Sequence, residues 1–200
     1  SVEVWKAAGG ADAKNPAHLL DNRSMRVGVR TVEITEKGLV LNGSLFPEKL
    51  IGGNRHQDFA RLGNAVPNNL QWQDAVKLRK AGMRVIRSAH YPQDPAFMDA
   101  CDRLGLFVIV ATPGWQFWGK GPFADRVYDD VRQMVRRDRN HPSVMMWEPI
   151  LNETHYPKDF AKKVRDLVHE EYPYPGCYTA CDAVAQGLSL IHISEPTRRS

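Results

Sequence analysis

Residues 106–111, Leu-Phe-Val-Ile-Val-Ala, form an unbroken apolar run between two segments of helical spacing. A strand with one wet face alternates apolar and polar residues. A strand that is apolar throughout must be covered on both faces, which is the environment of a parallel α/β sheet. The flanking chain repeats the pattern. Strand-like runs are expected at 49–53, 84–88, 144–151 and 176–180, with helical spacing at 69–81, 94–104, 125–139 and 158–172. The punctuation agrees: Gly82 and Gly105 stand where helices stop, and Asp94 stands where one starts. In the third helix Val127, Val131, Met134 and Val135 share one face. The fold class is therefore α/β, and polar residues after each strand fit the first half, about strands 1–5, of a TIM (β/α)8 barrel. A doubly wound sheet is the alternative, weakened because no Gly-rich phosphate loop follows the first strand.

Residues 1–36 are different. They alternate and are rich in turn residues, as in the last strands of a β-sandwich. Residues 39–43 read as a strand entering a hairpin. The expected organisation is a sandwich tail at 1–36 and the first part of a barrel at 37–187. The chain opens without Met, and Ser1-Val2-Glu3-Val4-Trp5 reads as mid-strand, so an upstream part is expected and export is not read from this sequence. The other end carries LSLIHISEPTR at 188–198, unrelated in pattern to what precedes it. That string is one frame of a transposase adapter used in preparing sequencing libraries. Residues 188–200 are expected to be translated adapter, with the natural frame interrupted near Gly187. Recovery of Ile191-His192-Ile193 at the same locus from an independent library would overturn that expectation.

The chemistry concentrates at the strand ends. His56 follows the first strand, His90 the second, Trp115 and Trp118 the third, and Asn152-Glu153 the fourth. A barrel delivers such residues to one rim, the C-terminal face. Imidazoles, an indole platform and a carboxylic acid suit a sugar, whose hydroxyls need hydrogen-bond partners and whose ring face stacks on aromatics. Glu153 lies beyond a buried strand, where burial raises a carboxyl group toward working pH. Each residue also has a plain structural reading: loop histidines, a packing tryptophan, a helix-start acid. Glu148 is a rival carboxylate inside the strand pattern. If buried it requires a cation, and Arg30, Arg84 and Arg87 are open candidates.

Other classes are less favoured. The net charge is +4, but the charges are interspersed. The one dense basic run, 132–139, is broken by Asp138 and reads as a solvated helix face, so no nucleic-acid partner is expected. No apolar run approaches a membrane span, and no membrane partner is expected. Cys101, Cys177 and Cys181 form neither a disulfide framework nor a zinc-like spacing.

Five motifs in order carry a family resemblance: Asn54-Arg55-His56, Arg87-Ser88-Ala89-His90-Tyr91-Pro92, Cys101-Asp102-Arg103-Leu104-Gly105-Leu106, Arg137-Asp138-Arg139-Asn140-His141-Pro142-Ser143-Val144 and Asn152-Glu153. Together they resemble glycoside hydrolase family 2, most closely its β-galactosidase branch, over nearly all of 27–154. The preceding segment is similar to the tail of that family's immunoglobulin-like domain. The resemblance implies a retaining exo-β-glycosidase with two carboxyl groups about 5–5.5 Å apart. It implies that Glu153 is the general acid/base and that Asn152 holds the sugar 2-hydroxyl. His56 and His90 would contact the sugar as well, and Trp115, read from its place after the third strand, is expected to bind it as the aromatic platform. The nucleophilic glutamate belongs to a seventh strand, so this chain alone is expected to be inactive.

Three positions depart from the family pattern. Four residues, Glu148-Pro149-Ile150-Leu151, separate Trp147 from Asn152 where the family has three. A bulge at Pro149 is expected to absorb the extra one. The third strand ends in Thr112-Pro113-Gly114-Trp115-Gln116-Phe117-Trp118, where metal-dependent galactosidases carry Glu-x-His, so neither metal nor cofactor is expected. Ile51 stands where many members have Arg. The other readings are a β-glucuronidase or related glycosidase, a carbohydrate-binding pseudoenzyme, and an endo-acting glycanase, which His56 and the His-Tyr-Pro turn disfavour.

Overall fold

A computed structural model describes residues 2–5, 19–24 and 26–180. Cys181 and the expected adapter segment 188–200 lie outside the described residues. The chain begins with an antiparallel pair, β1 (Val2–Trp5) and β2 (Leu19–Arg23). A second antiparallel sheet follows, in the order β3 (Val32–Thr35), β4 (Gly38–Leu41), β5 (Ser44–Leu45).

The remainder alternates as expected. It runs β6 (Gly52–Arg55), α1 (Asn68–Lys80), β7 (Val85–Ser88), α2 (Pro95–Leu104), β8 (Phe107–Ala111), α3 (Phe123–Asp138), β9 (Val144–Glu148) and α4 (Lys158–Glu171). The four strands pair in parallel in sequence order, β6-β7-β8-β9. Each crossover helix lies between neighbouring strands, the arrangement of a (β/α) barrel wall.

Local chemistry explains the helix ends. Asp94 caps α2 by accepting a hydrogen bond from the Ala96 amide at 2.7 Å. Gly105 ends the same helix in the left-handed region, with φ 67°. The basic run at the end of α3 faces α4: Arg132 and Arg136 both pair with Glu171, and Arg139 donates to the Glu171 carbonyl. The run is thus largely a helix–helix ion-pair cluster.

The sheet has two apolar sides. One core lies between sheet and helices and contains Ile86, Val108, Val110 and Trp147 from the strands with Phe97, Val131, Phe160 and Val164 from the helices. The second lies on the inner side, where Val85, Phe107 and Met145 meet Val32 and Leu39 of the β3–β4 hairpin. The hairpin therefore packs into the lower part of the sheet's inner face. The expected division between 36 and 37 falls in the turn of this hairpin.

Several expectations are corrected. The first barrel strand is not the apolar stretch 49–53. It begins at Gly52, and Leu50 and Ile51 are exposed. Gly52 is required by close approach, since a Cβ there would lie 2.1 Å from the Val85 carbonyl oxygen. The fourth strand stops at Glu148 rather than continuing to 151. Pro149 lies just beyond the strand's end, so the extra residue between Trp147 and Asn152 falls in the turn, and the strand's own register irregularity precedes Trp147. Val108 pairs with Val144 and Ile109 with Met146, so the extra residue of the bulge is Met145. The fifth strand, expected at 176–180, is reduced among the described residues to a parallel bridge between Trp147 and Thr179, supported by backbone bonds from Trp147 to Tyr178 and from Ala180 to Trp147. Cys101 and Cys177 are buried free thiols, and burial pushes the Cys177 thiol up to about 12.

Candidate active site

Strand pleating sorts the residues at the sheet's C-terminal end. In β6, Arg55 turns toward the helices while Asn54 and His56 take the opposite side. Arg55 is buried, donates to Asp74 at 2.5 Å and to Gln71 at 2.8 Å, also bonds Gln93, and lies over the Phe97 ring at 3.8 Å. Its neighbour His56 is exposed at the rim.

The rim residues form a continuous line. The His56 and His90 ring centroids are 5.5 Å apart, edge to face, and His90 stands 5.8 Å from Trp115. Tyr91 packs beside His56 at 6.4 Å, and its hydroxyl accepts from the Gln57 amide. Trp115 then forms a parallel bridge with Asn152. All five candidates, His56, His90, Trp115, Asn152 and Glu153, are thus brought to one rim. Trp115 is 49% exposed. Trp118 is different: it packs on Phe160 and Phe123 and belongs to the helix-facing core.

Glu153 departs from expectation in one respect. Its side chain is exposed, not buried. The turn that carries it has left-handed geometry, with φ 49°. Its Oε2 accepts from Gln116 Nε2 at 2.8 Å. Gln116 itself has φ 53°, and its amide donates to the Asn152 carbonyl at 3.0 Å. The loop after β8 is therefore docked on the turn after β9 by backbone and side chain together. Sequence reasoning passed over Gln116, because neither its type nor its position in an aromatic loop signalled a contact with Glu153.

Below the rim lies a buried ionic cluster. Glu148 is 3% exposed and receives both arms of Arg87, with Nε donating to Oε2 at 2.5 Å and Nη2 to Oε1. Arg87 Nη2 also donates to Asn152 Oδ1 at 2.8 Å, and Nη1 reaches Asn54 Oδ1 at 3.4 Å. Of the three open candidates, Arg87 is the partner. Arg30 turns instead to the Pro142 carbonyl and Arg84 to Glu48.

One group of potential metal ligands exists among the described residues: Asp99, Asp102 and His141. It lies at the strand-entering end, away from the rim. Its members are already paired. Asp102 accepts from Ser143 and bonds His141 at 2.6 Å, and Arg26 bonds Asp99 at 2.7 Å.

Residues 32–170 match the model of "Glycosyl hydrolases family 2, TIM barrel domain". The chain belongs to glycoside hydrolase family 2. It is 39% identical over 154 residues to a β-galactosidase of Thermoanaerobacter pseudethanolicus, covering 76% of this chain and 20% of that protein. It is 35% identical over 133 residues to a β-glucuronidase of Sus scrofa, covering 64% and 20%. Among solved structures, a family 2 member from Bacteroides cellulosilyticus superposes with TM-score 0.72 at 29% identity, covering 84% of this chain and 24% of that one. A β-glycosidase from Bacteroides vulgatus gives 0.71 at 29%, covering 83% and 22%. The chain spans about a fifth of the length of the curated relatives it matches. The family match begins at Val32 and so includes the β3–β4 hairpin.

Proposed function

We propose that this chain is the first part of the catalytic barrel of a retaining β-glycosidase that removes terminal β-linked sugars, with β-galactosides as the first substrate class. The observation that carries the reading is the joining of Asn152-Glu153 to His56, His90 and Trp115 along one rim. In this reading Glu153 protonates the leaving oxygen and then activates water. Asn152 binds the 2-hydroxyl, the two imidazoles meet other sugar hydroxyls, and Trp115 takes the ring's apolar face.

Retention needs a second carboxylate as nucleophile. Glu148 does not suit that part, because it is buried and held by both arms of Arg87. The nucleophile then comes from a later strand, and residues before Val32 belong to a sandwich domain whose tail is β1 and β2. β-Glucuronides are the second substrate class, favoured by relatives of that name at 33–35% identity.

The test compares this chain with the full-length enzyme. The chain alone is expected to leave an aryl β-galactoside intact. The full-length enzyme is expected to hydrolyse it with retention, and Glu153→Gln to slow hydrolysis of an unactivated substrate by about 10²–10⁴-fold. Azide added to Glu153→Ala should restore turnover of an activated aryl glycoside as the β-glycosyl azide. Turnover by the isolated chain that depends on Glu153 would sink the division of labour proposed here.

A further inference from the structure

The buried pair beneath the rim has the geometry of a positioning device. Glu148 lies on β9 and Arg87 on β7, with β8 between them in the sheet. The register places small Ala111 of β8 opposite Glu148, which leaves the inner face open for Arg87 to cross. The bidentate contact fixes the plane of the guanidinium. Its Nη2 then has one further direction, and that leads to Asn152 Oδ1 at 2.8 Å. Asn152 is itself buried and tied through its backbone carbonyl to Gln116 and Thr154.

The consequence is a fixed amide. A guanidinium has only donors, so the atom of Asn152 facing Arg87 must be oxygen. The Asn152 NH₂ group is then the side of the amide turned away from Arg87, and it can only donate. We propose that Glu148 is a positioning residue: through Arg87 it sets the Asn152 carboxamide so that the amide donates to the sugar 2-hydroxyl, and this sets the enzyme's discrimination at C2. The proposal rests on the glycosidase reading above and deepens it. Without Glu148, Arg87 loses its bidentate anchor, the amide is free to rotate, and its oxygen can turn to the ligand. Glu148 touches no substrate and acts only through Arg87.

The experiment uses the full-length enzyme and two aryl β-glycosides, the parent sugar and its 2-deoxy analogue, compared by kcat/KM. The wild type is expected to prefer the parent by about a hundredfold or more, because 2-hydroxyl contacts strengthen in the transition state. Glu148→Gln is expected to cut that preference to about tenfold or less, mainly through loss on the parent sugar. Glu148→Gln replaces the buried carboxylate that holds both arms of Arg87 and is exposed to misfolding. The double variant Glu148→Leu/Arg87→Met removes both charges at similar volume and is expected to fold. It also removes the Asn152 partner, so its preference should fall to the same level. Retention of the full preference by either folded variant overturns the proposal. A wild-type enzyme that turns over neither sugar overturns the glycosidase reading instead, so the two failures are distinguishable.

Discussion

Two arginines on neighbouring strands face opposite ways, and the contrast separates what this sheet is built on from what it is built for. Asn54 pairs with Arg87 and Arg55 with Ser88, so the two guanidiniums start almost side by side. Arg55 turns outward between α1 and α2, where Asp74, Gln71 and Gln93 take its donors. Arg87 turns inward, where Glu148 and Asn152 take its own. Each is a buried or partly buried cation that needs partners. Only the inward one reaches a residue of the rim. Arg55 anchors β6 to the helices and so holds His56 indirectly, through the backbone.

The largest expected effect comes from breaking the outward network. Arg55→Ala leaves Asp74 and two amides without their common donor. Loss of one partner of a buried pair costs about 3–5 kcal/mol. The urea midpoint should fall accordingly. The folded fraction of the full-length enzyme should nevertheless keep whatever preference for a 2-hydroxyl the wild type shows. A drop in that preference would mean that the two faces are not separable.

A smaller effect tests the lower part of the inner face. Leu39 of the hairpin is 7% exposed and packs in the cluster with Phe107 and Met145. Leu39→Ala is expected to cost about 2–3 kcal/mol, at the lower end for a buried leucine because the site lies at the edge of the fold. If the hairpin is part of the barrel's folding unit, Leu39→Ala and Phe107→Ala should be non-additive in a double-mutant cycle. Strict additivity, or an unchanged barrel midpoint in Leu39→Ala, would detach the hairpin from the barrel.

The sequence revealed those features that rest on local chemistry. The run at 106–111 demanded cover on both faces, and Phe107–Ala111 has it. Asp94 and Gly105 marked the ends of α2 because capping is a local hydrogen-bonding problem. The first strand was misread because Leu50 and Ile51 look like core. The strand is made by Gly52-Gly53-Asn54-Arg55, where close backbone approach matters more than side-chain hydrophobicity. The rim was legible because one residue type after each strand suffices to place it. The partner of Glu148 was not, because it depends on a side chain crossing an intervening strand, and the curvature that allows this leaves no mark in the sequence. The same holds for Gln116, whose contact with Glu153 depends on how one loop docks on another.

The contrast extends from faces to ends, and here the expected effect is smallest. His56 and His90 stand at the end where strands exit; His141 stands where β9 is entered. Its Nδ1 bonds Asp102 at 2.6 Å, and this bond, with the nearby Asp138 and Asp99, holds the imidazole above its ordinary value despite partial burial. A raised folded-state value means that the proton favours the folded protein. The contribution is fully present below the unfolded value, near 6.5, and is lost as pH rises through the folded one. His169 on α4 runs the other way. Burial, then Arg165, lowers it, so its contribution is present above 6.5 and lost as pH falls. His141 is only half buried, so solvent screening keeps its share under about 1 kcal/mol. Urea midpoints measured from pH 5.5 to 8.5 should therefore decline less steeply toward high pH in His141→Gln than in the wild type. In His169→Leu they should decline less steeply toward low pH. Parallel curves for His141→Gln and the wild type would show that the Asp102–His141 contact fixes the turn into β9 without coupling it to pH, and would remove the charge from that end of the comparison.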